Sequence, residues 1–129
     1  MPAKVTLVTP PDIFQNNQNS IMLIDPDEQD QSEVADWLKE QDFEINIYYY
    51  QGEQNVPWFL HSLACSKYKY INLDNMSAIT SYLAGYILSK NNVYYRTADE
   101  NIAALYSYIN NTRAKTVTEF LERIYGRKE

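Results

Sequence analysis

Four apolar residues in succession, Ile21 to Ile24, carry no polar alternation, the pattern of a strand covered on both faces. The run stops at Asp25-Pro26. From about Asp30 to Gln41, Val34, Trp37 and Leu38 recur at helical spacing, with Asp30 or Ser32 available as N-cap. Between about Phe43 and Tyr50, Phe43, Ile45, Ile47 and Tyr49 alternate with Glu44, Asn46, Tyr48 and Tyr50, which predicts a strand at an edge or in a half-exposed position. Gly52 ends it, and Pro57 suits the first turn of a helix running to about Ser66 and bearing Phe59, Leu60, Leu63 and Ala64. A third strand, about Lys69 to Leu73, leads through Asp74 into a helix carrying Leu83, Ala84, Ile87 and Leu88, and then into a fourth strand from Val93 to Tyr95. Two further helices are predicted, about Asp99 to Asn110 with Ile102, Leu105, Tyr106 and Ile109, and about Lys115 to Tyr125 with Val117, Phe120, Leu121 and Ile124.

This order of elements is that of right-handed βαβ units. It predicts a three-layer α/β fold: a parallel sheet of four to five strands in the flavodoxin-like order 2-1-3-4, with helices on both faces. The chain, residues 1–129, reads as a single domain. Residues 1–19 form an N-terminal strand and an exposed arm, because the strand-like KVTLV is followed by Pro10, Pro11 and the polar run QNNQNS. The strand is expected to join an edge of the sheet or a neighbouring subunit. Residues 114–129 hold a C-terminal amphipathic helix that docks on the domain or on a partner.

In a sheet of this kind, ligands bind at the carboxyl ends of the strands. That rule places Asp25 and Asp74 side by side and makes Asp25, Asp74, Arg96 and Thr97 the candidate ligand-binding residues. Two carboxylates there, with Asp27 and Glu28 nearby, suit a divalent cation or an acid and base pair; ordinary turn chemistry, Asp before Pro and Asp in an LDN turn, accounts for them more simply. A response-regulator receiver has comparable acidic residues and a threonine, but a fifth strand with its lysine has no counterpart here. His61 precedes Cys65 by one helical turn, and both are assigned structural roles, since two ligands do not make a metal site and an apolar helix leaves a thiol inert. With three glycines and no GxxxxGK[ST], GxGxxG or GxSxG sequence, a phosphate-cradling loop is excluded. No cofactor, metal site or catalytic residue is assigned.

The net charge of −6 argues against nucleic acid as a partner. No stretch approaches a membrane span or a signal peptide, and the single cysteine fits a reducing compartment, so a soluble cytoplasmic protein is expected. Twelve tyrosines suggest a contact surface. Those in IYYY, KYKY and VYYR are more simply edge and core residues than a base-stacking platform. Tyr82 and Tyr86, in a stripe with Leu83 and Ile87, are the interface candidates, read as core and subunit contact.

The segment from Tyr70 to Thr97 contains INLDN and then SYLAGYILSKNNVYYRTAD, which resembles nucleoside 2-deoxyribosyltransferases and their relatives. Asn72, Leu73 and Asp74 match that family's NLD, Gly85 and Tyr86 its GY, and Tyr95, Arg96 and Thr97 its YRT. The resemblance implies a Rossmann-like fold, a nucleoside pocket and an oligomer. It does not imply the reaction, because the family's nucleophilic glutamate falls on Leu83, and leucine cannot form a covalent glycosyl intermediate. The glycine-rich turn before the helix is replaced by MSAIT, and the small-residue turn after the first strand by Asp-Pro. In overall character the chain is also similar to small proteins of tailed phages that infect cyanobacteria, which implies a host cytoplasm. The expected function is a non-catalytic interaction or assembly module, a pseudoenzyme that forms a homo-oligomer or binds another protein. One alternative is a nucleotide or nucleoside sensor using the cleft at Asp25, Asp74, Arg96 and Thr97; another is a metal-assisted hydrolase using Asp25 and Asp74.

Overall fold

A computed structural model describes residues 4–5, 20–40, 46–50, 56–109 and 112–126. The arm expected at 9–19, the start of the strand expected from Phe43, and the side chains of His61 and Cys65 lie outside the described residues. The elements are β1 (Lys4–Val5), β2 (Ser20–Ile24), α1 (Glu28–Leu38), β3 (Asn46–Tyr50), α2 (Val56–Cys65), β4 (Tyr68–Asn72), a 3-10 turn (Leu73–Asn75), α3 (Ala78–Leu88), β5 (Val93–Arg96), α4 (Glu100–Tyr106) and α5 (Val117–Tyr125).

The sheet is parallel throughout, in the order β1-β3-β2-β4-β5. Its last four strands, numbered along the chain, stand in the order 2-1-3-4 expected of the doubly wound, Rossmann-like fold. The initial strand adds at the edge, pairing Lys4 with Asn46 and Val5 with Ile47. Over those two positions β3 is therefore internal rather than the edge strand its alternation allows. The opposite edge is closed as well: Ala114 N donates to Tyr95 O at 2.8 Å and Tyr95 N to Thr112 O at 3.2 Å, covering backbone that β5 would otherwise leave unpaired.

Strand alternation sorts the core into two layers. Ile21, Leu23, Ile47 and Tyr70 face α1 and α5, where Val34, Trp37, Val117, Phe120 and Leu121 meet them. Met22, Ile24, Ile71, Val93 and Tyr95 face the other way, toward Phe59 and Leu63 of α2 and Ala84, Ile87 and Leu88 of α3, with Ile102 and Tyr106 of α4 alongside. All four residues from Ile21 to Ile24 are buried, as a strand covered on both faces requires.

Two helix ends differ from the sequence pattern. Helix α1 starts at Glu28 with Asp27 as its N-cap in a reciprocal capping box with Asp30, so Asp30 is not the cap and Ser32 lies inside the helix. Helix α4 stops at Tyr106, short of Ile109, and Leu105 within it faces outward, so both side chains are exposed instead of in the core. Among the described residues no helix is long and apolar enough to cross a membrane.

Candidate functional site

The carboxyl ends of β2, β4 and β5 bring the predicted residues to one edge of the sheet, but strand alternation distributes them among three hydrogen-bonded groups. At the end of β2, Asp25 adopts φ 52°, a left-handed conformation that aspartate tolerates better than most residues. It is buried, and its Oδ2 accepts from Ser77 N at 2.9 Å while its carbonyl accepts from Asn75 Nδ2 at 3.0 Å. Ser77 in turn caps α3, its Oγ accepting from Thr80 N at 3.3 Å. Asp25 therefore ties the β2 end to the N-terminus of α3.

Asp74 and Thr97 do meet. Thr97 Oγ1 donates to Asp74 Oδ1 at 2.8 Å, and Ala98 N donates to Asp74 Oδ2 at 2.7 Å. Thr97 Oγ1 also accepts from Asp99 N at 3.1 Å, so a single hydroxyl links the 3-10 turn to the cap of α4. Arg113 holds the same loop from outside, donating to Thr97 O at 2.8 Å while paired with Glu100.

Arg96, one residue earlier on β5, points to the opposite face and joins a third group. Its Nη1 lies 2.8 Å from Asp30 Oδ1 and 3.8 Å from Asp27 Oδ2. Tyr70 hydroxyl donates to Asp30 Oδ1 at 3.0 Å, Asn72 Nδ2 to Asp30 Oδ2 at 2.8 Å, and Asp27 N to Asp30 Oδ2 at 3.1 Å. A carboxylate offers about four lone-pair sites; with Arg96 and these three donors, Asp30 fills them. Being wholly buried, it needs that complement.

The electrostatics follow from these contacts. Burial opposes ionisation of Asp27, but the Asp30 amide, the Arg96 guanidinium and the Asn72 amide outweigh it and hold the carboxyl below its usual range. Burial, then the Asp30 charge, push the Tyr70 phenol above its usual range. For Arg96 burial works against the cation, yet Tyr70 and Asp30 raise its pKa further, so the guanidinium stays charged.

The sequence reading passed over Tyr70 and Asn72 as site residues and took Asp30 for a cap. The available signals were the three-residue spacing of Asp27 and Asp30, which is that of a capping box, and the two-residue spacing of Tyr70 and Asn72, which puts both on one face of β4. Leu83, at the position of the resembled family's nucleophile, packs against the apolar layer formed by α2 and α3. Tyr82 is 88% exposed and Tyr86 46% exposed, so neither belongs to this chain's core; Lys90 Nζ lies 4.3 Å from the Tyr86 ring centroid. Among the described residues no group of three or more His, Cys, Asp and Glu side chains is placed to hold a metal ion. A scan against protein-family models and a search of curated proteins returned no match to this chain.

Proposed function

We propose that this protein is a non-catalytic interaction module built on a degenerate deoxyribosyltransferase-like core. The observation that carries this reading is how the polar groups at the strand ends are spent. Asp25 holds the α3 loop, Asp74 holds Thr97 and Ala98, and Arg96 is committed to Asp30. A ligand entering there would have to displace hydrogen bonds that fasten three connecting loops, and would recover little for doing so. The apolar environment of Leu83 supports the same reading, because the position a glycosyl transfer would need is part of the packing.

The test is a thermal-shift screen against nucleosides and nucleotides, with glycosidic-bond cleavage assayed in parallel. A ligand at 100 times its dissociation constant adds about 2.7 kcal/mol, a shift that is easily seen. The expected result is a flat screen and no cleavage. A stabilising nucleotide whose effect is lost in both Asp74→Asn and Arg96→Lys would replace this reading with the sensor. Cleavage or transfer lost on changing Asp74 but not Leu83 would make the protein an enzyme.

A further inference from the structure

Three charged residues are buried among the described residues: Asp25, Asp30 and Lys69. The two carboxylates are matched by donors from neighbouring elements, Asp25 by the Ser77 amide and Asp30 by Arg96, Tyr70 and Asn72. Lys69 is not matched. It lies on β4 inside the sheet, 6% exposed and flanked in register by Met22 of β2 and Val93 of β5, and strand alternation turns it with Ile71 toward the apolar layer of α2 and α3. An ammonium brings three donors. Lys69 Nζ reaches a single acceptor, the Asn91 carbonyl at 3.3 Å, and among the described residues no carboxylate stands within ion-pair distance of it. The adjoining chain supplies none: although the net charge is −6, no Asp or Glu occurs between Glu53 and Asp74 or between Asp74 and Asp99. The charged residues of the two turns beside Lys69 are Lys67, which is exposed, and Lys90, which is half-buried. Asn91 and Asn92 are exposed, so the covered stem of Lys69 ends in an amine beneath a turn that solvent reaches.

We infer that Lys69 is a carbamylation site, at which the side-chain amine adds carbon dioxide to become an Nζ-carboxylate with Lys90 as its counter-cation. A cation in apolar surroundings without an anion is costly, and a lysine relieves that cost by giving up its proton. Burial, then the charge of Lys90, hold the Lys69 ammonium below its usual range, and these are the two influences that make a lysine nucleophilic. In the addition, the Nζ lone pair forms the N–C bond, one C=O π pair moves onto oxygen, and the amine releases one proton to solvent. Nothing is oxidised or reduced, and the N–H that remains still donates to the Asn91 carbonyl. The electrophile suits the place, because burial of the stem shuts out bulky acyl donors whereas carbon dioxide is small and uncharged. The product suits it as well. Changing the side chain from cation to anion turns repulsion between Lys69 and Lys90 into attraction and gives a cluster of lysines the negative charge it lacks. Lys90 Nζ rests 4.3 Å from the Tyr86 ring centroid, on a flexible four-carbon stem that can turn toward the carbamate.

The test equilibrates the full chain with isotopically labelled bicarbonate and carbon dioxide at neutral pH, traps carbamates by O-alkylation with a trialkyloxonium salt, and locates the label by peptide mass spectrometry. Lys69 is expected to carry about tenfold or more the label of Lys67, the exposed lysine two residues away, since each unit by which an amine's pKa falls gives tenfold more of the neutral form. Lys90→Met should cut the Lys69 label several-fold, because it restores the proton affinity of the amine and removes the counter-cation together. That substitution lies at a half-exposed turn position and leaves the fold intact. No label at Lys69, equal label at Lys67 and Lys69, or a Lys69 label unchanged in Lys90→Met each overturns the inference. The reading of the strand ends is independent of all three outcomes, since Lys69 stands at the opposite end of β4 from Asn72.

Discussion

At the scale of residues, Asp30 is the most consequential side chain of the candidate site. It is wholly buried in the first turn of α1 and collects donors from α1's own cap, from β4 and from β5, so three elements meet on one carboxylate. Removing one partner of a buried ion pair costs about 3–5 kcal/mol, because the other charge is left uncompensated. Asp30→Ala is therefore expected to lower unfolding free energy by about that amount in urea titration, and the loss should shrink when Arg96→Met is added, since the stranded cation is then gone. A cost below about 1 kcal/mol for Asp30→Ala would mean that the network is not structural. None of this was readable from the position of Asp30 alone. An acidic residue in the first turn of a helix is ordinary at the surface, and only the packing of Tyr70, Asn72 and Arg96 against it shows that it is buried.

At the scale of elements, the joint between β2 and α3 explains why Asp25 stands where it does. The chain leaves β2 in a left-handed conformation, and the same residue's carboxylate receives the amide of Ser77, the cap of α3. Asparagine tolerates that conformation and keeps an acceptor, whereas alanine has neither advantage. Asp25→Asn should cost under about 1 kcal/mol and Asp25→Ala about 2–3 kcal/mol in chemical denaturation, the sum of backbone strain and a lost hydrogen bond. Equal losses would point to a role for the negative charge itself, as a ligand-binding or metal-binding carboxylate requires. The elements themselves were well marked in the sequence. The unbroken apolar run of β2 and the helical spacing of Val34, Trp37 and Leu38 are local patterns that burial then confirms. Helix α4 was overestimated because Leu105 and Ile109 fit a helical stripe; the helix ends at Tyr106, before Ile109, and Leu105 stands on its outward side.

At the scale of the whole molecule, stability should fall on both sides of neutrality for different groups. The folded pKa of Asp27 lies below its unfolded value, so its ionised contacts contribute fully above that unfolded value and are lost as pH falls from about 4 downward. Tyr70 and Tyr125 are raised, Tyr70 by burial and then Asp30, Tyr125 by burial and then Tyr68. Their contribution is intact below the unfolded phenol value and declines as pH rises above about 10, where the unfolded state releases protons that the folded state keeps. Absorbance titration at 295 nm should therefore show a late set of phenols, Tyr70 and Tyr125 among them, that ionises together with loss of the near-ultraviolet circular dichroism signal. A single smooth titration of all the tyrosines in the folded state would contradict the burial of Tyr70 and Tyr125.

The sequence by itself determined the layered α/β architecture and the strand ends at which Asp25, Asp74, Arg96 and Thr97 emerge, while the order of the central strands, expected only as the simplest assembly, was decided by the strand pairing. The architecture and the strand ends follow from hydrophobic periodicity and from the handedness of βαβ connections, both of which act locally along the chain. Only the tertiary structure decided what those residues do there. Arg96 and Thr97 are adjacent in sequence, yet the pleat of β5 sends one to Asp30 and the other to Asp74. The outer face of α3 was likewise open, because an apolar stripe on each side of a helix does not reveal which one the sheet will cover. The sheet took Thr80, Ala84, Ile87 and Leu88, and Tyr82 was left facing outward.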